Sequence, residues 1–160
     1  MSSNGFATVT TMSNRTVSAS TTVAAPPSVV FDLVANPRQH PRIDGSGSVR
    51  GHIVGPERLF RGARFGTSMR LFGVPYSITN RVVEFEDDRC IAWRHFGAHR
   101  WRYQLDPTED GGTVVTETWD ATRYNPLAFQ VLALTGFPER NRRGIEQTLV
   151  RLREVAEASP

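Results

Sequence analysis

The side chains in this chain best placed to do chemistry are a carboxylate, an imidazole and a phenol. Glu117 stands in the run TVVTETWD, where alternation puts it with Val115, Trp119 and Ala121 on the apolar face of a strand. A carboxylate on such a face must be paired, protonated or solvated, because burying it alone is costly. Arg81 is the candidate partner if it also faces inward; a ligand-orienting or acid/base role is the alternative. His95 and Tyr103 take the same inward phase on the two preceding strand patterns. His95 with Glu117 could exchange protons, and each reads equally as a satisfied core residue. No catalytic residue is assigned on this basis. Phosphate-binding glycine loops, G-x-S-x-G and H-E-x-x-H are all missing from the sequence. The four histidines and the lone Cys90 lack metal-ligand spacing, so neither metal nor cofactor is expected. Cys90, beside Ile91 on a strand pattern, reads as a small buried side chain.

The elements that must position these groups follow from periodicity and turn residues. Residues 16–24 read as a first strand, stopped by Pro26 and Pro27. A short helix follows with Val29, Val30, Leu33 and Val34 as its buried stripe, ending at Asn36–Pro37. Residues 37–43 form one more turn or short helix. Residues 49–54, 64–72, 76–86, 89–96, 100–105 and 113–122 then read as strands joined by short loops, an antiparallel meander. Residues 125–136 are either a helical turn or a loop sealing one cavity mouth. The last helix spans residues 138–158, with Ile145, Leu149, Leu152 and Ala156 as one apolar stripe. Arg142, Glu146, Arg153 and Glu157 fall on faces expected to meet solvent. Gly144, inside this helix, is a weak spot or a place of close approach.

The fold class expected is α+β, with one long helix covering the apolar face of a long curved sheet. One helix across a strongly curved sheet leaves a space, and alternation names its lining: Phe65, Thr67, Met69, Leu71, Trp93, His95, Trp101, Tyr103, Glu117 and Trp119. Aromatic and apolar walls with few polar groups suit a small-molecule site; a filled core is the plainer reading.

At 160 residues the chain fits one domain. The net charge is +3, yet every basic residue is arginine and acidic residues are interleaved, so no specific nucleic-acid partner is expected. The longest apolar stretch, residues 127–134, contains Gln130 and falls short of the roughly 20 residues of a membrane span. Residues 1–14 are Ser/Thr/Asn-rich without the features of a secretory signal and read as a flexible tail before a single domain at 15–158. Met12 would serve equally well as the start. The expected location is the cytoplasm, and monomer and homodimer both stay open.

Four stretches resemble the START-like, or SRPBCC, superfamily, which includes polyketide cyclase/dehydrase-type proteins. They are TVAAPPSVVFDLV from Thr22, RVVEFEDDRCIAW from Arg81, GTVVTETW from Gly112 and GIEQTLVRLREV from Gly144. The resemblance implies a helix-grip fold: an antiparallel sheet of about seven strands wrapped around the C-terminal helix, with one or two short helices after the first strand. It also implies binding or transport of a hydrophobic or aromatic small molecule, lipid- or polyketide-like, between sheet and helix. A cyclase or aromatase using His95, Tyr103 and Glu117 is one alternative, and a non-enzymatic protein-interaction module is another. The superfamily has no universal catalytic motif to carry over, and fold analogy alone does not make an enzyme.

Overall fold

A computed structural model describes residues 9–13, 15–71, 73–95 and 97–159, without the side chains of residues 13, 50, 51, 67 and 69–71. Residues 1–8 and 14 of the expected tail, and positions 72 and 96 at the ends of two expected strands, lie outside the described residues. The strands are β1 (Val9–Ser13), β2 (Thr16–Val23), β3 (Val49–Val54), β4 (Arg64–Leu71), β5 (Val74–Glu86), β6 (Cys90–Arg94), β7 (Arg100–Pro107) and β8 (Thr113–Asp120). The helices are α1 (Pro27–Ala35), α2 (His40–Ile43), α3 (Pro126–Leu134) and α4 (Phe137–Glu157), with a 3-10 turn at Pro37–Gln39. All eight strands form one antiparallel sheet in the order β1-β2-β8-β7-β6-β5-β4-β3. Helix α4 lies over β2, with α1, α2 and β8 beside it. The α+β helix-grip architecture is therefore the fold of this chain.

The part of the expected tail at Val9–Ser13 is a strand. It pairs with β2 from Val9↔Ser20 to Ser13↔Thr16, and Thr10 Oγ1 donates to Glu146 Oε1 on α4 at 2.6 Å. Polar β-branched residues read as a tail by composition, but they suit an edge strand once β2 offers a free hydrogen-bonding edge. The residues at 125–136 are mostly helix: Asn125 caps α3 by accepting from Ala128 N at 2.8 Å, and Pro126 opens it.

Helix α1 buries Val30, Phe31, Val34 and Ala35, so its stripe is turned from the expected one, with Val29 and Leu33 only partly covered. Phe31 decides the rotation, because an aromatic ring has far more area to remove from water than Val29. Its ring meets Phe85 edge-on at 5.5 Å. On α4 the stripe Ile145, Leu149, Leu152 and Ala156 is fully buried as periodicity requires. Gly144 lets the loop after α2 approach: a Cβ there would sit 3.3 Å from Ser46 Cβ.

Candidate functional site

Register turns the alternation of three strands into a wall. Val17, Trp119, Trp101, Trp93 and Val82 lie in one cross-strand row, and Ala19, Glu117, Tyr103, Ile91 and Phe85 in the next. Trp93, Tyr103 and Trp119 are buried, as is Phe65 from β4, while Trp101 is half-buried. Trp93 is the hub: it stacks on Tyr103 at 5.6 Å and on His40 at 5.1 Å, and meets Phe65 edge-on at 5.5 Å. His40 is buried, and its Nε2 lies 2.8 Å from the Val34 carbonyl. Since a carbonyl only accepts, Nε2 carries the hydrogen. Burial lowers the pKa of His40 against the raising effects of that bond and of Asp44, which keeps the ring neutral.

Glu117 lies in the middle of this wall, 4% exposed. Tyr103 Oη donates to its Oε1 at 2.8 Å, and its Oε2 is buried with no hydrogen-bond partner among the described residues. Burial pushes the carboxyl pKa up to about 8, the Tyr103 hydrogen bond opposes the rise, and the charge of Asp44 adds to it. Burial, followed by the Glu117 charge, also raises the phenol of Tyr103 well above its ordinary value. At neutral pH the pair is a protonated acid and a neutral phenol. With Oε1 accepting from the phenol, Oε2 is the oxygen left to carry the acid proton, and among the described residues it has no acceptor.

Beyond β6, residues 97 and 98 form a bend. The His95 and His99 rings meet edge-on at 4.8 Å, and His99 Nδ1 lies 3.1 Å from Tyr124 Oη. His99 also reaches Trp119 at 5.7 Å, and Trp119 in turn meets Phe129 of α3 at 6.3 Å. Burial, then the neighbouring His95, brings His99 down to about 4; burial also lowers His95. Both rings are neutral at pH 7. They line a concavity of about 950 Å³ that opens at this end of the sheet, with Glu84, Arg94, Arg100, Asp120 and Arg123 around it.

Of the ten expected lining residues, the structure brings Phe65, Trp93, Trp101, Tyr103, Glu117 and Trp119 to one face. His95 sits instead with His99 at the concavity. It is four residues along from Ile91, the partner of Tyr103, which is on the order of 13 Å at strand rise. The side chains of Thr67, Met69 and Leu71 lie outside the described residues. Arg81 is not the partner of Glu117: it is exposed and pairs in register with the outward Arg64 and Arg94, while Tyr103 holds the carboxyl. Alternation decides this, since Val82 takes the inward phase and leaves Arg81 outside. Cys90 is buried, and burial raises its thiol to about 11. Sequence reasoning missed His40, His99 and Tyr124, and placed Phe129 only in the stretch that could seal a cavity mouth. Only the amphipathic setting of His40 between Pro37 and Ile43 gave a local sign; the others sit in loops or on α3, where no period marks an inward face. Among the described residues no group of three or more His, Cys, Asp or Glu could hold a metal ion, and no helix is long and apolar enough to cross a membrane.

Comparison with known proteins agrees with this architecture. Among curated proteins, the chain is 42% identical over 138 residues to the uncharacterized protein Rv0088 of Mycobacterium tuberculosis, an alignment covering 85% of this chain. It spans 62% of the length of that relative. Solved structures of similar fold include a protein from Arthrobacter aurescens (TM-score 0.71, 17% identity, 91% of each chain). Another is the Polyketide_cyc-like protein Cgl2372 of Corynebacterium glutamicum (TM-score 0.57, 24% identity, 92% of this chain and 94% of that one). Residues 14–157, nearly the whole chain, match the family model for polyketide cyclase / dehydrase and lipid transport proteins, and the chain belongs to that family.

Proposed function

We propose that this chain binds or carries an apolar small molecule, aromatic or lipid-like, against the inner wall of β6–β8, and that the molecule bears a neutral oxygen acceptor. The observation that carries this reading is Glu117 Oε2, a buried polar atom with no partner among the described residues in an otherwise apolar wall. An unpaired buried donor costs about 1–3 kcal/mol, which a carbonyl, ester or ether oxygen on a ligand would recover. A carboxylate ligand is disfavoured there, because burial and Asp44 already select the uncharged form of Glu117. Helix α3, whose Phe129 and Leu132 pack on the core, is the element that would have to move for entry. The Gly136 backbone, at φ +77, joins it to α4 and is a natural hinge.

Native mass spectrometry of the purified protein, with thermal shifts against aromatic ketones and fatty-acyl esters, tests the reading. A co-purifying apolar molecule, or a shift for carbonyl compounds that disappears in Glu117→Leu, is expected. An empty protein with no shift across the panel would sink it.

A second reading is supported by the same pair. A protonated carboxyl hydrogen-bonded to a phenol is a proton donor at neutral pH, the part that a cyclase or dehydratase needs next to a carbonyl. Glu117→Gln separates the two: retained binding with lost turnover of a polyketide-like substrate favours the enzyme.

A further inference from the structure

The concavity at the β6–β7 end has a charge pattern unrelated to the inner wall. Its rim contains three arginines, Arg94, Arg100 and Arg123, and two carboxylates, Glu84 and Asp120. The carboxylates are already committed. Arg100 pairs with Glu84 and, through Nε at 2.9 Å, with Asp120; Arg102 Nε adds a second bond to Glu84 at 2.9 Å. Asp120 Oδ1 further accepts from Thr122 N and Oγ1 at 3.0 and 2.6 Å. Arg94 and Arg123 have no carboxylate within ion-pair distance among the described residues. The rim is thus left with two uncommitted guanidiniums.

The rim is also held in place. Arg15 reaches across to donate to the Thr122 and Tyr124 carbonyls at 3.1 and 2.7 Å, fixing the segment that carries Arg123. Gly97 packs so closely that a Cβ would come within 2.9 Å of His99 Cε1 and 3.0 Å of Tyr124 Oη. His95 and His99 add neutral aromatic surface to a space of drug-sized volume.

We propose that this concavity is a second binding site, for a small organic anion whose carboxylate or phosphate group lies between Arg94 and Arg123 and whose planar body stacks on one of the two perpendicular rings, His95 or His99, and meets the other at its edge. Two uncommitted guanidiniums match either acidic group through charge-assisted hydrogen bonds, and the imidazole faces favour a flat body over a bare ion. The site lies at the end of the sheet, and its lining does not include Glu117 or Tyr103.

Isothermal titration with phenyl phosphate, benzoate and benzyl alcohol, on the full chain at pH 7, tests it. At least one anion saturates and the neutral alcohol does not; whichever anion binds identifies the acidic group as phosphate or carboxylate. Arg94→Gln and Arg123→Gln each weaken that binding roughly tenfold, the loss of one charge-assisted contact, whereas Arg81→Gln leaves it unchanged. Matched melting temperatures show that the variants fold. Failure of both anions to saturate, equal binding of benzyl alcohol, or wild-type affinity in both arginine variants would overturn the proposal. Neither result bears on Glu117, whose ligand is read out by Glu117→Leu.

Discussion

On the inner face of the sheet, Glu117 is held by a single phenol in a wall that contains Trp93, Ile91 and Trp119; on the outer face, Glu84 pairs with Arg100 and Arg102, and Asp120 with Arg100, with solvent nearby. Burial raises Glu117 to about 8. Partial burial would raise Glu84 too, but the Arg102 hydrogen bond and the two arginine charges outweigh it and hold Glu84 below its ordinary value. Asp120 behaves likewise, with Thr122 and Arg100 overcoming its burial. The same functional group, on opposite faces of one sheet, is an acid on one side and a salt on the other. What differs is the supply of positive charge and water.

The largest effect that would break this contrast is in the pH dependence of stability. Glu117 has a folded value near 8 against an ordinary 4.5, so the native state holds a proton that the unfolded chain releases between them. Its contribution is fully present below the unfolded value and is lost as pH rises through the folded one, a fall on the order of 5 kcal/mol. Urea unfolding across this window should show the decline in the wild type and a flatter profile in Glu117→Gln. Identical profiles would mean that Glu117 is not the buried acid.

Neighbours on opposite faces give the next test. Trp119→Ala should cost about 4 kcal/mol as a buried-ring deletion, whereas the outward Thr118→Ala, losing its contact with Ser18, should cost about 1 kcal/mol. Equal losses by thermal unfolding would show that the two faces are not distinct. Tyr103→Phe strips Glu117 Oε1 of its donor and should cost about 2 kcal/mol. It should also move the Glu117 titration above its wild-type position, because the lost bond lowers that pKa. Carboxyl carbon NMR reads the shift, and a downward movement contradicts the assignment. The smallest effect is outside: Glu84→Gln should cost about 1 kcal/mol and fade with added salt, as exposed ion pairs do. Its pH sign is opposite to that of Glu117. The Glu84 contribution is present above its ordinary value and disappears as pH falls through the lowered one. A salt-independent loss as large as that of Tyr103→Phe would erase the comparison.

Much of this arrangement was legible residue by residue. The period-2 split of TVVTETWD and RWRYQL put Trp119, Glu117 and Tyr103 on one side, and the α4 stripe followed from 3.6-residue spacing. Alternation failed where the backbone is irregular. A bulge between Val82 and Glu84 opposite β6 lets Val82 and Phe85 both serve the core while Glu84 turns outward to Arg100 and Arg102. A strict period of two from Val82 would have buried Glu84. No local pattern announces an extra residue in a strand, because the partner strand creates it.

The sequence by itself therefore determined most of the elements, the inward faces of β7, β8 and α4, and the need of Glu117 for a partner, since these depend on periodicities within one segment. Only the tertiary structure decided who that partner is. Arg81 was the electrostatic choice, but register set Tyr103 beside Glu117 and left the acid to keep its proton. Register likewise gathered Arg94 at the end of β6, His95 and His99 after it, and Arg123 after β8 around one concavity. Such pairings come from the packing of distant segments, and the distance between them is not written in either one.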